Sequence, residues 1–429
     1  MQRVKMMKKY ADLIIRNGLN TQARQDVVII ANAEMHTFVG YFVAELYKMH
    51  VHSVRVFYRD PVATRFYLMN TPETKLSPIA DYITSFYKEA SEKNFSIILF
   101  EGTDPQVLRK NTREKRQAYR KAIENSCHSS FYKYKRGTLP FVRVAVPTRD
   151  WAVSIYPELT PVQGEDRLWQ DVYERSGIWR ERLSAESGYR ERITRLFDIS
   201  QKLNSLRLAK IIITDSNTKT NLTVSLPIKH IWYSPLKTSE EFNEKFLTEM
   251  PGFFISTVPH SHGVKGVVNS TKTVYFDGEP IEDVSLTFEN GKIVKATASK
   301  GQEALNKAIA VDDYSNRLGG ITLVDRDLMP EASSEEYFDN YVLNMTEGSH
   351  ITIGCASYRG FEGGYDLTPN ELQSHGLNQS LLSLDFPIMS DTLSVVGVGD
   401  DNSKHLIMDK GHCNGAAAGS KETPDNKGV

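Results

Sequence analysis

Short apolar runs and helix-spaced segments alternate through the first 150 or so residues. The apolar runs, which we predict as strands, are DVVIIANA (26–33), SVRVFYRD (53–60), FSIILFEG (95–102) and FVRVAVP (141–147). Helical spacing marks residues 4–17, ending at Gly18, and residues 37–50, and a basic helix is predicted between the last two strands. This alternation predicts a parallel α/β layer. It contains no GxGxxG motif or phosphate loop, so no nucleotide site is predicted.

The pattern changes twice farther along the chain. Residues 160–205 have the amphipathic spacing of helices, and from about 208 strand-like segments are separated by Asn-Thr, Asp-Gly and Asn-Gly turns. This half is predicted to form a curled or barrel-like sheet. The predicted divisions are an α/β domain (1–155), a helical connection (156–207), a β-rich domain carrying the site (208–414) and a flexible tail (415–429).

Composition excludes several classes of protein. The 429 residues are 40% hydrophobic, enough for two or three domains with real cores, and the net charge of −1 gives no electrostatic reason to expect a nucleic-acid or membrane partner. The basic stretch 109–125 also carries Glu114 and Glu124, as a solvated helix face does. The three cysteines form no CxxC pair, and no signal-like or ~20-residue apolar run is found. A reducing cytoplasm is therefore the expected location.

Six stretches in order along the chain resemble the aminopeptidase T / aminopeptidase S family of metallopeptidases. They are residues 10–20, 164–173, 203–232, 259–294, 348–354 and 378–386, with SLTFENGKIV (285–294) the most specific. The resemblance implies an N-terminal α/β domain and a β-rich C-terminal domain. It also implies a homodimer enclosing a cavity, and two divalent metals in the C-terminal domain.

The family's metals are held by two glutamates, two histidines and an aspartate, and only two of these five positions keep a ligand here. The segment of the first glutamate reads Met-Pro-Gly with Phe253 and Phe254, and the second glutamate position, after Leu-Gly, is Gly320. The first histidine corresponds to His350. In the family's His-x-Asp-Phe unit the histidine is replaced by Ser383, and the aspartate remains as Asp385.

Two adjacent divalent cations need several anionic ligands to offset their repulsion and desolvation. We therefore expect no metal or one divalent metal, and do not expect two. Substitute ligands beside His350 and Asp385 are His262, which would face the same side of a strand end as His260, and Glu347. Glu347 would serve either as a ligand or as a general base. Each has a second interpretation, His262 as a surface substitution and Glu347 as a loop carboxylate facing solvent.

Other residues near these motifs also carry two interpretations. Tyr358 is expected to act with His350 and Asp385 in catalysis, or else to be a packed tyrosine. Glu362 either contacts a substrate amine or caps a turn, and Cys355 is either a nucleophile or a buried small hydrophobe. His375 follows a helix and has the position of a cap. Phe253, Phe254, Gly320 and Ser383 are predicted to line the substrate pocket with Glu362, although strand alternation would place one phenylalanine in the core.

Three functions remain open from the sequence. The first is a remodelled enzyme that reuses the peptidase cavity for an amino-acid-, peptide- or aromatic-derived small molecule. The second is a non-catalytic protein that binds a peptide or small molecule or serves as a dimeric scaffold. The third is an active metalloaminopeptidase whose metals are held by ligands other than the family's.

Overall fold

The computed structural model describes residues 2–76, 79–104, 106–178, 185–329, 338 and 340–418. Contacts divide the chain into two compact units, each built from three segments. The first unit comprises Met1–Arg195, Ser234–Phe254 and Met329–Glu347, and the second comprises Leu196–Tyr233, Ile255–Leu328 and Gly348–Val429. In the described part of the chain, no helix combines the length and apolar character needed to cross a membrane.

The α-helices of the described residues are α1 (Gln2–Leu13), α2 (His36–Lys48), α3 (Pro61–Asn70), α4 (Asp81–Glu92), α5 (Gln106–Arg109), α6 (Arg113–Arg136), α7 (Arg149–Ile155), α8 (Pro161–Arg175), α9 (Ala185–Ser205), α10 (Gln302–Ile309), α11 (Tyr341–Asn344) and α12 (Pro369–Ser374). The first ten strands are β1 (Asp26–Asn32), β2 (Ser53–Arg59), β3 (Ser96–Glu101), β4 (Phe141–Ala145), β5 (Leu208–Asp215), β6 (Thr220–Ser225), β7 (Leu236–Thr238), β8 (Lys245–Leu247), β9 (Glu249–Met250) and β10 (Ile255–Thr257). The remaining strands are β11 (Val264–Asn269), β12 (Val274–Phe276), β13 (Glu279–Ile281), β14 (Ser285–Glu289), β15 (Lys292–Thr297), β16 (Leu318–Leu323), β17 (His350–Gly354), β18 (Ser383–Pro387), β19 (Ser394–Gly399), β20 (Lys404–Asp409) and β21 (His412–Ala418).

The first unit is built on a parallel sheet in the order β2-β1-β3-β4-β9. Strand β1 is buried from Val27 to Asn32, as expected of a strand covered by helices on both faces. On α2, Phe38 and Phe42 pack against Phe100 of β3, with ring centroids 5.3 and 5.1 Å away. The predicted α/β layer is confirmed, and each of its four predicted strands is present.

The first helix ends differently from the prediction. It was predicted to stop at Gly18, but α1 continues as a π-helical turn from Ile14 to Leu19 and ends at Asn20, whose φ is 50°. A side chain at Gly18 would place its Cβ 3.0 Å from Met250 Sδ. Gly18 therefore permits close packing and does not cap the helix.

The second unit is dominated by antiparallel sheets. An eight-stranded sheet has the order β15-β14-β11-β6-β5-β19-β20-β21, and a four-stranded sheet has the order β10-β16-β17-β18. The Asn290-Gly291 turn joins β14 to β15 with φ of 49° and 77°, as a two-residue hairpin of two positive-φ residues requires. In the described residues the larger sheet is open, with β15 and β21 as its edges, so the barrel-like alternative was wrong.

The first four residues of the predicted tail belong to a strand. Residues 415–418 belong to β21, which pairs with β20. These residues form a strand because β20 offers them an edge for hydrogen bonding. The small and polar composition of the tail does not reveal that partner. Residues 419–429 lie outside the described part of the chain.

Candidate active site

The four-stranded sheet of the second unit carries a row of small and polar residues across three neighbouring strands. Gly320 of β16 lies beside Thr352 of β17, and Thr352 lies beside Asp385 of β18. The Thr352 hydroxyl donates a hydrogen bond of 2.6 Å to Asp385 Oδ1. A Cβ added at Gly320 would lie 3.3 Å from Thr352 Oγ1, so this position directly adjoins the hydroxyl.

A second row of the same face contains the imidazole. His350 begins β17 two residues before Thr352, and side chains two apart on a strand share a face. It pairs with Thr322 of β16, whose hydroxyl lies 3.0 Å from that of Ser256 on β10. The His350 Nδ1 atom is 3.0 Å from the Gly348 carbonyl oxygen. Because a carbonyl can only accept, Nδ1 carries the proton and Nε2 is the basic nitrogen.

The two faces of this sheet differ sharply in polarity. Along β18, exposed Ser383 and partly exposed Asp385 alternate with buried Leu384 and Phe386. Thr352 is also partly exposed, whereas only 4% of His350 is exposed. The face therefore offers solvent one carboxylate and two hydroxyls, with an imidazole below the surface.

Phe253 and Phe254 lie in the first unit and in an irregular segment before β10. Both are buried, with 1% and 0% exposed. The Phe253 ring packs 4.8 Å from the ring of Tyr189 on α9. The strand predicted through both residues begins only at Ile255, so alternation does not separate them, and both belong to a core.

Glu347 is not the solvent-facing loop carboxylate that its second interpretation expected. Its Oε1 accepts hydrogen bonds from Arg175 Nε at 2.8 Å and Nη2 at 2.5 Å, and the Arg175 side chain is fully buried. The Arg175 guanidinium also stacks 4.4 Å from the ring centre of Phe338 and bonds Asp171. A carboxylate held by a buried guanidinium is committed to that ion pair, which argues against Glu347 as a metal ligand.

The two histidines of the PHSH motif lie in the turn between β10 and β11 and not on a strand end. Their ring centroids are 6.0 Å apart. His262 is exposed, and desolvation followed by the charge of Arg317 lowers its pKa. The ring of His260 fills the space beside Gly376, where an added Cβ would lie 2.5 Å from it.

The remaining candidates are distributed around the loop after β17. Tyr358 packs on a small apolar cluster and meets Tyr365 edge to face at 4.9 Å. Glu362 has an exposed side chain, and its backbone N–H donates to Lys229 O. Half-buried Cys355 places Sγ 3.6 Å from Ala356 O, and His375 is the C-cap of α12.

Two features of the second unit, one on this face and one outside it, were not predicted from the sequence. Thr352 could have been found from alternation, because it stands two residues from His350 in HITIG. The second feature is a group formed by Asp325, Asp327 and His412, whose ligand atoms lie within 4.8 Å of one another. In the sequence, its only signal is an Asp-x-Asp pattern after a strand. The histidine comes from a distant hairpin that no local pattern connects to it.

Comparisons with known proteins agree with the fold. The family model described as thermophilic metalloprotease (M29) matches residues 3–413. Aminopeptidase AmpS of Bacillus subtilis (strain 168) is 26% identical over 407 residues, covering 95% of this chain and 98% of that protein. Aminopeptidase T of Thermus aquaticus is also 26% identical, over 94% of this chain and 97% of its own length.

A solved structure gives the same assignment of fold. Wild-type AmpT from Thermus thermophilus superposes with a TM-score of 0.82 at 24% identity, covering 96% of this chain and 99% of that chain. At this identity the likeness establishes the architecture, an α/β region followed by a β-rich region. The family model matches nearly the whole length, so the chain belongs to the thermophilic metalloprotease family M29.

Proposed function

We propose that this family member has lost the two-metal centre and acts as a remodelled enzyme on an amino-acid-, peptide- or aromatic-derived small molecule. The observation that carries the proposal is the row formed by Gly320, Thr352 and Asp385. In that row the single carboxylate is engaged by a hydroxyl, and the position beside the hydroxyl has no side chain.

The donor set of the face does not fit two divalent cations. It comprises the Asp385 carboxylate and the His350 imidazole, while Gly320 and Ser383 offer no anionic or imidazole ligand. In the described ranges, no group of three or more His, Cys, Asp or Glu side chains with ligand atoms within 4.8 Å includes His350 or Asp385. These ligands would therefore not offset the mutual repulsion of two such cations or the cost of their desolvation.

The same face suits an organic substrate with a cationic amine. Asp385 Oδ1 accepts from Thr352, and among the described residues Oδ2 has no donor, which leaves that oxygen for an ammonium group. His350, protonated at Nδ1, presents Nε2 as a general base. The space beside Gly320 accommodates substrate atoms that a longer side chain would displace. Tyr358 is assigned the role of a hydroxyl donor to a substrate oxygen.

We also propose a homodimer, as the resemblance to the family implies. Light scattering after size-exclusion chromatography tests this directly. A mass twice the 48.6 kDa of one chain supports it, and a monomer at all accessible concentrations contradicts it.

Two assays test the proposed function. Hydrolysis of aminoacyl-p-nitroanilides is measured with and without added Mn²⁺ or Co²⁺, and no metal-dependent rate above the Asp385→Ala variant is expected. Amines, amino-acid amides and aromatic amines are then screened by thermal shift, with turnover of each hit followed by mass spectrometry. Asp385→Asn should abolish the shift, whereas Asp313→Asn, at an exposed carboxylate, should retain it.

The outcomes separate the three functions left open by the sequence. Turnover of an amine-bearing ligand supports the remodelled enzyme. Tight binding without turnover overturns the catalytic part of the proposal in favour of a binding protein. Metal-dependent release of p-nitroaniline that Asp385→Ala abolishes restores the ordinary peptidase.

A further inference from the structure

Beyond this face, the second unit brings together an imidazole and two carboxylates at the end of β16. Asp325 and Asp327 flank Arg326 in the turn that follows the strand, and His412 begins β21. The His412 Nδ1 atom is 3.2 Å from Asp327 Oδ1 and 3.9 Å from Asp325 Oδ1. We propose that these three side chains bind one divalent transition-metal ion, at a site distinct from the face that carries Asp385.

The distances match the spacing of ligands around one ion. Ligands about 2.1 Å from a metal are separated by roughly 3.0 Å at adjacent octahedral positions and roughly 3.4 Å in a tetrahedron. All three ligand atoms lie within 4.8 Å of one another, so side-chain shifts of about 1 Å bring them into a first coordination shell. Three protein ligands leave at least one position for water.

The chemistry of the donors selects the class of ion. An imidazole nitrogen favours Zn²⁺, Fe²⁺ or Ni²⁺ over Ca²⁺ and Mg²⁺, and two carboxylates also suit Mn²⁺. Asp325 is fully buried. In a protein interior, an ionised carboxylate is stabilised by a counter-charge or a metal ion. A cation here also offsets the repulsion between the two carboxylates.

The surrounding backbone holds the ligands in place. The Arg326 N–H donates to Gly411 O at 2.9 Å, which joins the turn after β16 to the β20–β21 hairpin next to His412. The Arg326 side chain pairs with Asp391 at 2.7 Å. The proposed ion would therefore cross-link two segments far apart in the sequence and stabilise the edge of the eight-stranded sheet.

Titration of the chelator-treated full chain with Zn²⁺ and Mn²⁺ tests the site by calorimetry and by metal analysis after dialysis. We expect one ion per chain and a rise in the unfolding temperature on binding. His412→Ala and Asp327→Asn should each weaken binding at least tenfold. Their side chains are 44% and 60% exposed, so both variants are expected to fold, which circular dichroism verifies.

A matched control lies in the neighbouring loop between β18 and β19. Asp391→Asn removes an exposed carboxylate that pairs with Arg326, and it should leave the metal affinity within twofold. Equal affinities of the wild type and His412→Ala would overturn the proposal and leave a plain imidazole–carboxylate ion pair. So would binding that is lost in Asp385→Ala but kept in Asp327→Asn. Neither result depends on whether the face around Asp385 is catalytic.

Discussion

The hydroxyl of Thr352 donates to Asp385 Oδ1 across 2.6 Å, from an inner strand of the four-stranded sheet to its edge strand. This bond fixes the one carboxylate of the polar face. Hydrogen bonds to charged groups contribute about 1.5–3 kcal/mol, so its loss is measurable in both stability and ligand binding.

Thr352→Val keeps the shape of the side chain and removes the donor. We expect the free energy of unfolding to fall by about 1–3 kcal/mol, because Asp385 keeps its partly buried position without its partner. Thr352→Ser retains the donor and should lose less than half as much. Urea unfolding monitored by tryptophan fluorescence measures both. A Thr352→Val variant as stable as the wild type would show that the bond does not position Asp385.

Restoring side chains that can bind metal should create a metal site on the face. In the double variant Gly320→Glu with Ser383→His, a carboxylate and an imidazole join Asp385 and His350. A Cβ introduced at Gly320 would lie 3.3 Å from the Thr352 side chain, so only a small adjustment of Thr352 is needed. We expect an additional bound Mn²⁺ or Zn²⁺ with at least tenfold higher affinity than any binding by the wild-type face.

The control for this graft is Gly320→Gln with Ser383→Asn, which has nearly the same volume without a charge or an imidazole. It should gain no metal. If the control and the graft bind equally, or if the wild-type face already binds as tightly, the donor-set argument is wrong. The added metal should also disappear when Asp385→Ala is introduced into the graft.

The buried ion pair between Arg175 and Glu347 gives a prediction about stability. The Glu347 side chain is 11% exposed and that of Arg175 is 0% exposed. Glu347→Gln removes the negative partner and leaves the guanidinium with less compensation, which costs about 3–5 kcal/mol. Glu362→Gln, at an exposed carboxylate, should change the free energy of unfolding by less than about 0.5 kcal/mol. Comparable small losses in both variants, measured by denaturant unfolding, would contradict the buried-pair assignment.

His230 gives a prediction about pH. Burial lowers the pKa of its imidazole, and the Pro227 carbonyl, 2.8 Å from Nδ1, only partly opposes this. The unfolded chain therefore binds the proton more readily than the folded chain. The contribution of neutral His230 to stability is fully present above the unfolded pKa of about 6.5. It is lost as the pH falls from there through the lowered pKa of the folded state.

His230→Gln removes this titration. The free energy of unfolding of the variant should fall less steeply than that of the wild type between about pH 6.5 and pH 5. Unfolding curves at half-unit pH intervals measure the two slopes. Parallel slopes would mean that His230 has the same proton affinity in both states.

Sequence patterns predicted the first unit well because its strands are short apolar runs bounded by turn residues. The prediction for β1 differs from the observed strand, Asp26–Asn32, by one residue. The pattern failed where a distant segment decides the environment. The burial of Phe253 depends on Tyr189 of α9, and that of Glu347 depends on Arg175, 172 positions earlier. No local periodicity carries such contacts.

For the site, the family resemblance in the sequence predicted which metal-ligand positions differ, but not what the resulting face does. Alternation in β17 places Thr352 beside His350, yet its bond to Asp385 depends on the register between β17 and β18. That register is a tertiary property, set by which faces are buried. The group of Asp325, Asp327 and His412 was missed for the same reason.

The most direct test of the central claim is the metal content of protein purified without chelator or nickel affinity, measured by mass spectrometry for the wild type, Asp385→Ala and His412→Ala. We predict at most one divalent ion per chain, retained in Asp385→Ala and lost in His412→Ala. Two ions per chain in the wild type that are lost in Asp385→Ala would contradict the account and restore a two-metal peptidase.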